Sequence, residues 1–320
     1  MATHHLDDKT PHAFWDTTLP PRLTIAPGDT VVFETLEASA NQITPESTDD
    51  DVAKLSFDPI HPLTGPVAID GAQPGDTLEV EILDFQHKGW GWNAVLTGFG
   101  LLPDDFTKSY LHHYELTGTQ CIFRDDIRLP FEPFCGVMGV GPREPGRLGT
   151  TPPRENGGNI DIRHLTAGTR VFFPVLIPGA NFSCGDCHSA QGDGEVNGTG
   201  IETPMSVTLR FKLHKGKPIQ ELRFITARDK PLTVAGDLGY YVTTAHGPDL
   251  FANAQNAIRY MVDYLANEHS MTPEQAYCLC GAAVDLKISE IVDAPNWIVS
   301  AYLPLSIFDR FREAMDDFGV

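Results

Sequence analysis

Basic residues are scarce in this chain of 320 residues: 23 Lys and Arg stand against 43 Asp and Glu, a formal net charge of −20. Such a surface repels phosphate backbones and anionic membranes. Nucleic acid is therefore excluded as an expected partner, and neutral or cationic small molecules are the easier ligands. Long apolar runs are also missing. No stretch approaches the roughly 20 residues that a bilayer-spanning helix needs, so no membrane is expected. The start, Met1–Asp8, has neither the basic segment nor the apolar core of a secretory signal. A cytoplasmic location is the expectation, with the six cysteines mostly reduced there. No structureless linker long enough to separate independent domains is evident.

Glycine and proline are plentiful, at 29 and 25 residues. Pro27-Gly28-Asp29 divides two β-like segments, and a similar Pro74-Gly75-Asp76 turn leads into a strand with Leu78, Val80 and Ile82 on one face. A third variant, Ala167-Gly168-Thr169, precedes Val171-Phe172-Phe173. These turns imply a mainly β body, a sandwich or barrel. Ala40–Asp51 reads as a polar, mobile connection. Trp90–Asn93 and Gly98–Leu102 mix aromatic residues with glycine, as a pocket wall or ordinary packing does. The last third changes period. Ile258, Met261, Val262 and Leu265 repeat at helical spacing, and Thr272-Pro273 with Gln275 has the start signals of a second helix. Asp285–Val292 reads as a strand and Pro304–Met315 as a terminal helix. The expectation is one unit over residues 1–320, either undivided or as two packed lobes: 1–245 mainly β, 246–320 helical with a closing strand.

Chemistry concentrates between Cys184 and Glu195. Cys184-Gly-Asp-Cys187-His188 spells the c-type haem attachment pattern, which the lack of an export signal weakens. The same stretch offers Asp186 and His188, which share a face if the segment is extended, and Glu195 beyond a glycine-rich bend. Upstream, Asn159 and Asp161 have the same i, i+2 spacing. Histidine nitrogen and carboxylate oxygen are the donors of zinc and similar ions. Two such pairs on neighbouring strands would make a carboxylate-rich centre.

The strings Gly157–Asp161, Gly185–Glu195, His61–Val67, Gly71–Asp76 and Gly136–Gly141 together resemble the acetamidase/formamidase family. So do Trp90-Gly-Trp92, Phe99–Leu102 and Val284–Ile288, and the similarity spans nearly the whole chain. Cys184 and Cys187 depart from the family string, where thiols are not part of the motif. The resemblance implies a mainly β fold, homo-oligomers of two or more copies, and hydrolysis of small linear amides to carboxylate and ammonia. Metal-bound members are similar to γ-lactamases as well. Joined to the residue chemistry, it suggests a divalent metal, zinc first with calcium as a candidate second ion, held by Asp161, Asp186 and His188. Glu195 is then the expected general base, with His61 as a further acid or ligand. Asn159 and Gln191 are expected to orient the amide or complete the shell. The alternatives are a γ-lactam hydrolase using the same site and a non-enzymatic small-molecule or metal-binding β protein.

Overall fold

The long strand Thr77–His87 shows how residue pattern becomes architecture. Leu78, Val80 and Ile82 are fully buried on one face, as the period of two requires. At Leu83 the pairing with Met205–His214 skips one residue, a β-bulge, and the buried side passes to Phe85. The computed structural model describes residues 1–227, 239–291 and 295–310.

This strand lies within a six-stranded sheet ordered Thr3–Leu6, Thr30–Thr35, Met205–His214, Thr77–His87, Arg170–Pro174, Arg223–Ile225. Facing it is a five-stranded sheet ordered Gly157–Asn159, Phe134–Gly139, Phe182–His188, Leu63–Ile69, Leu23–Ile25. Their inner faces share one apolar core. Phe182 is its hub, with ring centroids 6.1 Å from Phe33, 5.8 Å from Phe173 and 5.2 Å from Phe211. Truncating it to alanine is expected to cost about 3–5 kcal/mol. The sandwich expected from the turn pattern is present. The turn at Gly28, however, does not make a hairpin: Leu23–Ile25 and Thr30–Thr35 enter different sheets.

A second core forms under a four-stranded sheet ordered Ile127–Pro130, Gln120–Arg124, Tyr110–Leu116, Trp90–Val95. The helices Leu250–Glu268 and Pro273–Ala283 pack into it, with Ile258, Met261, Val262 and Leu265 buried. Thr272 and Gln275 form the capping box that the sequence signals. A three-stranded sheet, Tyr240–Gly247, Trp297–Pro304 and Asp285–Glu290, completes this end. The expected helix from Pro304 is corrected in its first part. Pro304 ends a strand, and Leu305–Ile307 make a 3₁₀ turn. Residues 311–315 of that expected helix lie outside the described residues. Ala40–Asp51 is no loose connection either. Ile43 is fully buried, and the buried Glu37 carboxylate accepts from the backbone N–H groups of Ser39 and Asn41.

Candidate active site

Strand register brings the predicted residues together. Val137 pairs with both Asn159 and Gly185, and Gly185 pairs with Leu63, giving one row across four strands. Just beyond that row lie Asp161, Gly136, Asp186 and His61. The backbone N–H groups of Ile160 and Asp161 both donate to the Gly136 carbonyl, at 2.9 and 3.2 Å. A Cβ on Gly136 would stand 2.7 Å from both Asp161 Oδ1 and Asp186 Oδ2, so only glycine lets the two carboxylates close over the strand.

Convergence is achieved with a twisted backbone rather than with simple alternation. His61, Asp161, Asp186 and Glu195 have φ of 57°, 43°, 52° and 45°. Left-handed backbone in such residues costs about 1–3 kcal/mol each and persists where surroundings over-determine it. Asp161 falls after the strand Gly157–Asn159, and Asp186 breaks the alternation of Phe182–His188. Asp161, Asp186 and His188 therefore meet by a geometry other than the i, i+2 alternation of an extended strand. The break also lets Cys184 and Cys187, three positions apart, both enter the sandwich core.

Glu195 and its loop are braced from the C-terminal helices. The Tyr277 hydroxyl donates to the Val196 carbonyl and accepts from Leu102 N–H. Gly192 N–H donates to Gly281 O at 2.8 Å. Asp193 N–H donates to the Asp285 carboxylate, which also pairs with Arg163 two residues past Asp161.

The His188 ring is oriented by Gln191. The Gln191 amide nitrogen donates to the Asp161 carbonyl at 3.0 Å, which leaves its oxygen to accept from His188 Nδ1 at 2.7 Å. Nε2 is thus the nitrogen whose lone pair is directed at carboxylates: Glu202 Oε2 at 3.2 Å, Asp186 Oδ1 at 3.6 Å and Glu195 Oε1 at 4.0 Å. Acceptor facing acceptor in a buried setting is unfavourable unless a proton or a cation lies between. His188 Nε2, Asp161 Oδ1 and Glu202 Oε2 are buried without a hydrogen-bond partner. The donors Asp161, Asp186 and His188 lie within 4.8 Å of one another, as do His188, Glu195 and Glu202. These nitrogen and oxygen donors, left unsatisfied by protein, fit a divalent ion such as zinc. Since Nδ1 is engaged by Gln191, His188 has one lone pair to offer, and the two sets cannot each hold an ion through it.

The carboxylates bear out the same tension. Burial and the Asp186 charge push Asp161 up to about 7 against the pull of His188. Burial and Asp186 push Glu202 up to about 8, and burial with the Asp161 charge holds Glu195 well above the usual range. Asp186 alone is lowered, because His61 and His188 outweigh its burial. His188 is raised despite its burial by Glu202 and Asp186. Perturbation of this kind in a cleft marks functional sites.

A cavity of about 480 Å³ opens onto this cluster, lined at its polar end by His61, Asn159, Asp186, Glu195 and Glu202. His61 Nε2 is 3.9 Å from Asp186 Oδ2. Gln191 is not on the cavity wall but behind His188. Trp92 and Phe99 are on it, and Trp92 also packs in a buried cluster with Ile43 and Leu111. Glu202 was not legible in sequence: no partner acid at a telling spacing and no glycine motif announces it. It arrives by register, its backbone pairing with Trp92 and bridging to His188. Cys184 and Cys187 have no exposure, in keeping with the weakness of the haem pattern, and Cys278 and Cys280 belong to the other core. His112 is half-buried and stacked on Phe123, while His113 is exposed.

The sequence profile described as the Acetamidase/Formamidase family matches residues 2–148 and 146–310. The chain belongs to that family. It is thereby a hydrolase of the class that acts on linear amides. Family relatives include an acetamidase of Mycolicibacterium smegmatis, 29% identical with 85% of each chain covered. A formamidase of Methylophilus methylotrophus is 28% identical, covering 93% of this chain and 89% of its own. The fold is similar to that of a gamma lactamase from Delftia acidovorans, with a TM-score of 0.88 at 27% identity over 97% of this chain and 94% of that one. An acetamidase from Bacillus halodurans gives 0.66 at 31% identity, over 96% and 99%. No helix among the described residues is long and apolar enough to cross a membrane.

Proposed function

We propose that this family member is a metal-dependent hydrolase that converts a small neutral amide to a carboxylate and ammonia. The observation that carries the reading is the unpartnered His188 Nε2, turned by Gln191 into a ring of carboxylates at the end of a cavity. Asp161, Asp186 and His188 would hold a divalent ion, zinc being the one these donors suit. When bound, such an ion polarises a carbonyl and makes water acidic enough to lose a proton near neutral pH.

The chain's own residues supply the rest. Glu195, on the cavity wall, takes the proton of the attacking water and delivers it to the departing amine. Burial and the neighbouring Asp161 charge raise its affinity for a proton above that of an ordinary carboxylate, which favours capture of the water's proton. Asn159 and His61, which also line the cavity, would hold the amide. Glu202, opposite His188, either joins the ligands or keeps the ring in place. The similarity to the Delftia gamma lactamase, at a TM-score of 0.88, favours a second reading in which the amide is cyclic.

Ammonia release from formamide, acetamide and larger primary amides is the test, with chelator and metal add-back. Activity lost with chelator and restored by metal is expected. Ring opening of a γ-lactam releases no ammonia, so a lactam-only enzyme is told apart by its amino-acid product. Full activity after complete metal removal would overturn the metal reading.

A further inference from the structure

The cavity has two ends of opposite character. Its blind end carries the carboxylates, while its mouth is built from Leu55, Phe57, Leu96, Phe99, Leu101 and Phe251. Three of these are phenylalanines with high exposure, 57% for Phe57, 41% for Phe99 and 62% for Phe251. They come from three separate parts of the chain, so local sequence composition does not explain their meeting. Exposed aromatic rings gathered around one opening leave apolar surface in water, and this is characteristic of ligand grooves. Phe57 and Phe99 are 6.2 Å apart between ring centroids, within range of a tilted aromatic pair.

Phe99 is also seated firmly. Its ring lies on Gly198, where an added Cβ would meet ring carbons at 2.5 and 2.6 Å. Gly198 is three residues from Glu195, and its N–H donates to the Glu195 carbonyl at 2.7 Å. The aromatic wall is therefore attached to the loop that carries the proposed base.

Size and charge narrow the substrate. Acetamide, with four non-hydrogen atoms, fills roughly 120 Å³ on the scale of about 30 Å³ per water. That is a small part of a cavity of about 480 Å³. Among the described residues no Lys or Arg lines the cavity, so a substrate carboxylate would face Asp186, Glu195 and Glu202 without a counter-charge from them.

Resting on the amide-hydrolase reading above, we infer that the preferred substrates are neutral amides whose acyl side is apolar and at least the size of a phenyl ring. Phe57 and Phe99 are the specificity-determining contacts. The amide group reaches the carboxylate end while the apolar group lies against these rings, and burial of that group supplies affinity that formamide cannot supply.

The experiment compares kcat/KM of the metal-loaded, full-length protein for formamide, acetamide, phenylacetamide and succinamic acid, the last bearing a carboxylate. Phenylacetamide is expected to exceed acetamide by at least about tenfold, the scale at which apolar pockets discriminate. Succinamic acid is expected to be the poorest. In Phe99→Ala and Phe57→Ala, turnover of phenylacetamide should fall about tenfold or more with acetamide changed far less. Equal losses on both amides would mean a structural effect and overturn the assignment of these rings. Formamide or acetamide preferred over phenylacetamide overturns the inference and leaves the amide-hydrolase reading intact. No turnover of any amide overturns both.

Discussion

Two acid-rich regions of this molecule hold buried carboxylates under opposite conditions. Glu79, on the outer side of the six-stranded sheet, is met by Arg170, Lys212 and His214 at 3.5, 3.7 and 2.5 Å. Cross-strand pairing sets these partners, with Lys212 directly opposite Glu79. The result is a carboxyl whose pKa is lowered, because His214 and the cations outweigh its burial. The site cluster is also acid-rich, but among the described residues its cavity wall has no Lys or Arg, with His61 as its histidine. There Asp161, Glu195 and Glu202 are raised instead. Buried acid with a paired cation is a structural feature. Buried acid left without one is costly and is retained where a bound ion or a proton transfer completes it.

That contrast can be broken most sharply at the proposed base. Glu195→Gln is expected to lower kcat by about 10²–10⁴-fold, the usual contribution of a general acid or base, with the fold retained by circular dichroism. Full activity with metal bound would remove Glu195 from the chemistry. Next in size, Gln191→Leu frees His188 to rotate. It should weaken metal affinity by about 10–100-fold, read by metal titration, with activity recovered at high metal concentration.

Thermal melting against pH then separates the two regions. A carboxyl raised in the folded state binds its proton more tightly there than in the unfolded chain. Metal-free protein should therefore lose stability as pH rises from about 4 through the values near 7 and 8 of Asp161 and Glu202. Metal should remove most of that slope and bind more tightly as pH rises. A flat metal-free profile between pH 5 and 8 would contradict the raised values. Glu79 runs the other way: its contribution is present above its unfolded value and lost as pH falls through the lowered folded one. Glu79→Gln should cost about 1 kcal/mol or less, since its cationic partners are partly exposed, and leave amide turnover unchanged. A large activity loss there would dissolve the distinction between the two regions.

The sequence carried much of this site because its chemistry is local. Asp186, His188, Gln191 and Glu195 fall within ten positions, and Asp161 stands in a second short string. The helices at 250–268 and 273–283 were equally legible, since period and capping are properties of neighbouring residues. Irregular backbone is what the residue pattern does not show. Extended strands would pair Asp186 with His188 and Asn159 with Asp161, yet both aspartates are left-handed. The residues after Pro304 have helical spacing, but sheet pairing with Tyr240 claims Pro304 itself as a strand end.

By itself the sequence determined the mainly β class, the helical cover, the family and the short strings that hold most of the candidate ligands, because these follow from turn residues, period and short motifs. Only the tertiary structure decided that Glu202 joins the cluster, that Gln191 stands behind His188, and that Phe57, Phe99 and Phe251 ring one mouth. The reason is physical. Glu202 is placed by its pairing with Trp92, and the three aromatics by packing of segments far apart in the chain. Such long-range register and close packing leave no periodic trace in the residues that they bring together.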